Sequence, residues 1–447
     1  MNGITPLFTD LYELTMASVY HARGLLQPAT FSLFLRKKSP PPRNYYVAAG
    51  MEEALHFLAG LRFTTQDLAY LKTTELFSAD FLDYLAGFRF SGDVVAMAEG
   101  AIFFPDEPLL EVTAPLIEAQ IVETFLINTI GFQTMVATKA ARCVQAAQGR
   151  TLVDFGLRRT HGRDAGLKAA RCSYLVGYAA SSNVLAGKMW QIPVAGTMAH
   201  SFVQAFADEQ HSFAAFAETY PDNSIFLIDT YNTLAGARKA VRVAKQMKAE
   251  GHSLLGVRLD SGDIATLGRE VRSIFNAAGL DEVKIFASGG FDEFKIERIV
   301  ADKAPIDAFG IGTKVGVSAD DPYLDIVYKM VRYDGRDVRK VSPGKKTLAG
   351  RKQVFRQSDA NDQYVADTIG CRREQVAPAT TLLNSVMQRG QIVAPSPPLA
   401  ELRRQFQRNF NNLPQRYKTL IPLDGPVAYP VRISEELAAL QQHIAQA

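Results

Sequence analysis

An α/β barrel flanked by two further regions is the fold this sequence predicts, and three observations carry it. From about residue 150 to residue 311, short apolar runs recur, each closed by small or polar residues. An amphipathic stretch follows each run, so strand and helix periods alternate as they do in a parallel sheet covered on both faces. At least six such units stand in series, which favours a barrel; periodicity alone leaves a doubly wound sheet open.

The first region, residues 1–145, mixes the two periods as an α/β domain. Helical patterns over 10–22, 51–59 and 116–147 alternate with strand-like runs at 30–35 and 93–97. In the first of these, Thr9 or Asp10 stands where a helix cap is needed, and Leu11 and Leu14 supply its buried face. The barrel region, 146–325, contains the runs Leu152–Phe155, Ile192–Ala195, Ile225–Ile228, Leu254–Val257, Val283–Ala287 and Ile306–Ile311. Between them, stretches such as 233–250 and 264–279 have helical spacing with Lys, Arg and Glu on the outer face. The third region, 326–447, turns β-rich. VYKMVRY, DVRKV and KQVFRQ, joined by Asp334-Gly335 and Pro343-Gly344, read as antiparallel strands with turn signals. The tail from 396 is punctuated by Pro and helical at its ends.

Bulk composition narrows the function. Of the 447 residues 47% are hydrophobic and 21% charged, an ordinary globular balance with a large core. A net charge of +3 is too mild for a nucleic-acid binder, and the densest basic run, Arg36-Lys37-Lys38 before Ser39-Pro40-Pro41-Pro42, reads as a solvated loop edge. Cys143, Cys172 and Cys371 are isolated and odd in number, which argues against a disulfide framework or zinc site and suits a reducing cytoplasm. The amino terminus lacks the basic and apolar segments of a signal peptide. The most apolar stretch, Pro108 to Phe132, is broken by Glu111, Glu118 and Glu123 and reads as a strand and a buried helix, not a membrane span.

The chemistry sits where the runs end: FGLRRTHG (155–162), GTMAHS (196–201), DTYNT (229–233), RLDSGD (258–263), SGGFD (288–292) and GIGTKVG (310–316). In a parallel barrel these ends share one face, which holds the active site. Ser288-Gly289-Gly290 and Gly310-Ile311-Gly312-Thr313 are small, bring backbone N–H groups close to a ligand and precede helices, so they suit phosphate; tight turns are the plainer alternative. Asp263 stands where it caps the next helix. Asp260, before it, is free to meet ribose hydroxyls or a magnesium-bound ligand. Arg258 interrupts an apolar strand, and its planar guanidinium suits a carboxylate or phosphate. Arg158 and Arg159 add positive charge at another end, so the inferred ligand is strongly anionic. Among seven histidines, His200 alone follows an apolar run at such a junction. With no His or Cys at ligand spacing it is no metal ligand, which leaves general base or nucleophile.

LFTDLYELTMA (7–17), FGLRR (155–159), SSNVLAG (181–187), PVAGTMAHSFV (193–203), GVRLDSGD (256–263) and GIGT (310–313) resemble the nicotinate phosphoribosyltransferase family, in order along the chain from about residue 5 to about 356. The resemblance implies an incomplete (decapped) α/β barrel with an amino-terminal α/β domain, usually in a homodimer. It implies a reaction joining nicotinate to 5-phosphoribosyl 1-diphosphate, coupled to ATP hydrolysis, with Mg²⁺ neutralising the pyrophosphate leaving group. The histidine of GT-x-AHS, here His200, is the family's transient phosphohistidine, and Asp260 joins it as a catalytic residue. Arg258 would take the nicotinate carboxylate, with Thr197 beside it and Tyr12 reaching the pyridine ring from the neighbouring subunit. Arg158, Asp263, Gly310, Gly312 and Thr313 would meet phosphoribosyl diphosphate; Ser288, Gly289 and Gly290 join them from turn chemistry alone. Where other members carry Asn, this chain has Gly-Gly, which leaves backbone contacts there. Nicotinamide phosphoribosyltransferases resemble this fold too but carry Asp after the Gly-Thr, where Met198 stands here. A barrel lyase or isomerase acting on a sugar phosphate is a further alternative, with Lys314 the only lysine near a run end.

Overall fold

The computed structural model describes residues 5–38, 43–342, 347–420 and 428–446. The Ser39-Pro40-Pro41-Pro42 loop edge and the Pro343-Gly344 turn lie outside them. Two compact units divide the chain. One is continuous, Lys139–Pro322; the other joins residues up to Thr138 with those from Tyr323 onward.

The continuous unit is built on a curled parallel half-barrel. Its strands in chain order are β1 (Thr151–Asp154), β2 (Ala180–Ser181), β3 (Ile225–Leu227), β4 (Gly256–Leu259), β5 (Lys284–Ala287) and β6 (Ala308–Ile311). They lie in the order β2-β1-β6-β5-β4-β3, every pair parallel. Helices Thr233–Ala249, Ile264–Ala277 and Glu293–Ala301 follow β3, β4 and β5. Each buries a stripe at helical spacing, as with Ala237, Ala240, Val243, Ala244 and Met247 in the first. Side-chain caps start all three: Asn232 accepts from Ala235 N, Asp263 from Ala265 N and Thr266 N, and Asp292 from Lys295 N.

One expected strand is not there. Of the run Ile192–Ala195 only Val194 pairs, in a single parallel bridge to Ser181. Gln191 before it has φ of 56°, and Pro193 has no N–H to donate, so the run cannot extend a ladder. The two-residue β2, too short to show a period, takes that place beside β1.

The other unit centres on a seven-stranded sheet. Pro28–Leu35, Pro108–Pro115 and Asp93–Ala96 form its middle, with Ile326–Tyr333 on one side and Asn384–Gln388 on the other. Strands from beyond residue 325 therefore flank those from the first 115 residues, and Phe31 stacks on Tyr328 at 4.8 Å between ring centroids. The Asp334-Gly335 turn has positive φ at both residues, 48° and 75°, the geometry of a tight hairpin. Of DVRKV only Asp337 is strand, at the end of the two-residue strand Arg336–Asp337.

The helix Leu11–Ala22 departs from the expected pattern. Leu11 is exposed, and Glu13 is buried with Leu14 and Ala17. Neither Thr9 nor Asp10 caps it. Both serve side-chain bonds instead: Thr9 donates to Glu13, and Asp10 accepts from Thr124 Oγ1. Burial raises the Glu13 carboxyl to about 7 despite its bonds from Thr124 and Thr9.

Candidate active site

A cavity of about 550 Å³ opens at the carboxyl ends of the half-barrel strands. Its wall brings together eleven of the residues singled out from sequence: Arg158, Thr197, His200, Arg258, Asp260, Ser288, Gly289, Gly290, Gly310, Gly312 and Thr313. Phe155, Arg159 and Met198 join them. Asp263 does not line it, since its carboxylate caps the following helix; Thr266 holds it below the ordinary carboxylate range. Tyr12 belongs to the other unit, where it stands 46% exposed on Leu11–Ala22.

Arg258 is in strand β4, between Phe286 of β5 and Leu227 of β3. Its Nη1 donates to Asp260 Oδ1 at 2.8 Å and to Ser288 Oγ at 2.9 Å, and its Nη2 to the Met198 carbonyl at 2.7 Å. A guanidinium has five N–H groups; these bonds use three, and the buried Nε has no hydrogen-bond partner among the described residues. Burial lowers the Arg258 pKa while Asp260 opposes that shift. Behind Asp260, Asp229 Oδ2 accepts from Asp260 N at 3.0 Å and from Ser261 Oγ at 2.6 Å. The run-end motif DTYNT contains Asp229, but the sequence alone gives that residue no role.

The glycines are required by close approach as much as by any ligand. A Cβ on Gly289, whose φ is 93°, would stand 2.0 Å from the Asp260 carbonyl oxygen. A Cβ on Gly312 would stand 2.6 Å from the Phe155 carbonyl, and one on Gly310 2.4 Å from the Phe155 ring. The β1 end is set by buried Asp154, which accepts from Gly156 N at 2.8 Å and Ser181 Oγ at 2.6 Å; burial raises its pKa. The helix after GIGT runs only Thr313–Gly316, so the donors it offers are those of the turn, not of a long dipole. The helix after SGG starts under Asp292, which Lys314 holds at 2.6 Å.

His200 opens the helix His200–Gln204, and its Nδ1 lies 3.1 Å from Thr230 Oγ1. The wall thus presents guanidinium groups and turn N–H groups for anions, one carboxylate at Asp260, and an imidazole.

Family models cover most of the chain. Residues 7–131 match the nicotinate phosphoribosyltransferase (NAPRTase) N-terminal domain, 150–367 the NAPRTase family, and 375–441 the C-terminal domain. The chain is 46% identical over 432 residues to a nicotinate phosphoribosyltransferase of Mycobacterium tuberculosis, covering 96% of this chain and 92% of that one. Identity to the Bacillus subtilis nicotinate phosphoribosyltransferase is 38%, over 96% and 93% of the two chains. The crystal structure of human nicotinic acid phosphoribosyltransferase superposes with a TM-score of 0.87 at 30% identity, over 98% and 99% of the two chains.

Proposed function

The chain belongs to the nicotinate phosphoribosyltransferase family, and from that membership we propose how its cavity carries the reaction. The protein is an enzyme of NAD salvage that converts nicotinate to nicotinate mononucleotide. One observation supports assigning that chemistry to the cavity: Arg258, the glycine turns of β5 and β6, and His200 share a single wall.

Arg258 keeps one Nη2 N–H that would meet the nicotinate carboxylate as a charge-assisted bond, while its other unused N–H, on Nε, is buried. Thr197 lines the same cavity, and Phe155 in its wall adds an aromatic side chain for the pyridine. Arg158 and the turns Ser288–Gly290 and Gly310–Thr313 take the phosphates of phosphoribosyl diphosphate, and Asp260 faces the ribose. Asp263, fixed as a cap, would assist only through its place beside this loop. Holding both anions in register contributes on the order of 7–11 kcal/mol in such reactions. Asp260 would hold Mg²⁺, which would supply positive charge toward the pyrophosphate leaving group. Its oxygen Oδ2, without a hydrogen-bond partner among the described residues, is a hard donor suited to that ion. ATP phosphorylates His200 and so drives the cycle.

Two subunits would share each site, with Tyr12 supplied across a two-fold interface. The exposed apolar row Phe8, Leu11, Tyr12 and Val19 supports that reading. Cysteines outside any disulfide, Cys143, Cys172 and Cys371, fit a cytoplasmic enzyme, and no described helix is long and apolar enough to cross a membrane.

The deciding assay compares nicotinate with nicotinamide on phosphoribosyl diphosphate, with and without ATP. Product from nicotinate, increased by ATP, is expected; equal use of nicotinamide would overturn the carboxylate assignment. Arg258→Ala should cost about 2–3 kcal/mol, roughly 30- to 150-fold in kcat/KM for nicotinate, with a smaller effect on KM for phosphoribosyl diphosphate. Equal losses for both substrates would make Arg258 an organiser of Asp260 and Ser288 only. Tyr12→Ala and Arg258→Ala, each nearly inactive alone, should regain activity when unfolded and refolded together. Random pairing makes half the dimers mixed, each with one intact site, so about one quarter of sites should recover. No recovery would place Tyr12 outside a shared site.

A further inference from the structure

We infer that Thr230 is a positioning residue for His200, acting through its hydroxyl on the imidazole; this rests on the reading of His200 as the phosphoryl acceptor. The contact is Thr230 Oγ1 to His200 Nδ1 at 3.1 Å, and Thr230 does not line the cavity that His200 lines. The hydroxyl therefore supports the ring from behind the wall. A hydrogen bond at one ring nitrogen restrains rotation of the ring about its last torsion, and a hydroxyl can serve either tautomer because it both donates and accepts. A fixed ring plane matters for an imidazole that must present a lone pair to phosphorus.

The support is itself rigid, and His200 is otherwise poorly held. His200 begins a helix of five residues whose cap position, Ala199, has no side chain able to bond the helix N–H groups. Thr230 stands between buried Ile228 at the end of β3 and Asn232, which caps Thr233–Ala249 through Ala235 N at 2.9 Å. Gly236 lets that helix rest on the Ile228 carbonyl; a Cβ there would stand 2.2 Å from its oxygen. Strand, cap and helix thus hold Thr230 in one place, and Thr230 holds the ring.

The test measures phosphoenzyme formation from γ-labelled ATP in rapid-quench experiments, alongside ATP-independent turnover. Thr230→Val keeps the shape and removes the hydroxyl. Labelling should slow about 10- to 100-fold, while ATP-independent nicotinate mononucleotide formation stays at the wild-type level. Thr230→Ser, which restores a hydroxyl, should recover most of the labelling rate. Labelling of Thr230→Val at the wild-type rate would overturn the inference. So would an equal loss of both activities, or failure of Thr230→Ser to differ from Thr230→Val, since either marks a merely structural residue. A wild-type enzyme that takes up no label would instead remove the phosphohistidine reading, and this inference with it.

Discussion

His200→Ala is expected to take up no phosphoryl group from γ-labelled ATP, where the wild-type chain forms an acid-labile, base-stable adduct. The imidazole is the nucleophile in the cavity wall that matches this stability: a phosphoramidate is lost in acid, whereas a phosphoserine or phosphothreonine ester survives it. Stimulation by ATP should disappear with the label. His200→Gln, which keeps a polar side chain, should behave the same way, because an amide cannot accept phosphorus. Retained labelling in either variant would move the phosphoryl acceptor elsewhere. The measurement is independent of nicotinate and so isolates the ATP half of the cycle from the transfer half.

The second large effect is expected at a residue with no side chain. Gly289→Ala should reduce kcat/KM for phosphoribosyl diphosphate by at least about 100-fold. The new Cβ would meet the Asp260 carbonyl at 2.0 Å, and φ at Gly289 is 93°. Left-handed strain of about 1–3 kcal/mol and overpacking of similar size both apply, so the β5 turn must move away from Asp260 and carry Ser288 with it. Gly290 supplies the control. Its φ is 66°, but a Cβ there has no neighbour within 4 Å. Gly290→Ala thus has only the strain, and should cost less than about tenfold in the same constant. Equal defects at the two glycines would show that ligand contact, not backbone approach, dictates both.

Much of the site was legible because its residues interrupt a pattern. Arg258 breaks an apolar strand, His200 follows an apolar run, and glycine pairs close two others; each is visible locally. What was not legible depends on contacts between distant residues. Thr230 became informative only when β3 set it against His200, thirty positions away. Asp154 reads as one polar residue after LV, and its partner Ser181 lies in a strand of two residues. The run Ile192–Ala195 had the right hydropathy but the wrong backbone, because Pro193 and the left-handed Gln191 stop a ladder that composition would permit. At the first helix, hydropathy put Leu11 inside, whereas Thr9 and Thr124 satisfy a carboxylate well enough to bury Glu13 instead. Pairing of the Pro28–Leu35 strand with Ile326–Tyr333, in which Ala29 meets Tyr333, joins residues far apart in the chain, and no local period records it.

That last pairing sets an order of events during synthesis. A ribosome adds about 5–20 residues per second. The strands Pro28–Leu35, Asp93–Ala96 and Pro108–Pro115 are therefore made early, yet the strands that flank them arrive only with Ile326–Tyr333 and Asn384–Gln388. At those speeds the delay between residues 115 and 326 is about 10–40 s. Lys139–Pro322 has its whole sheet within one continuous stretch and can close while the chain is still growing. The nascent chain consequently spends that interval with three strands whose outer hydrogen-bonding edges have no neighbour, a template for association with other chains. Chaperone demand on this protein should concentrate there, before the second half of the sheet has left the ribosome.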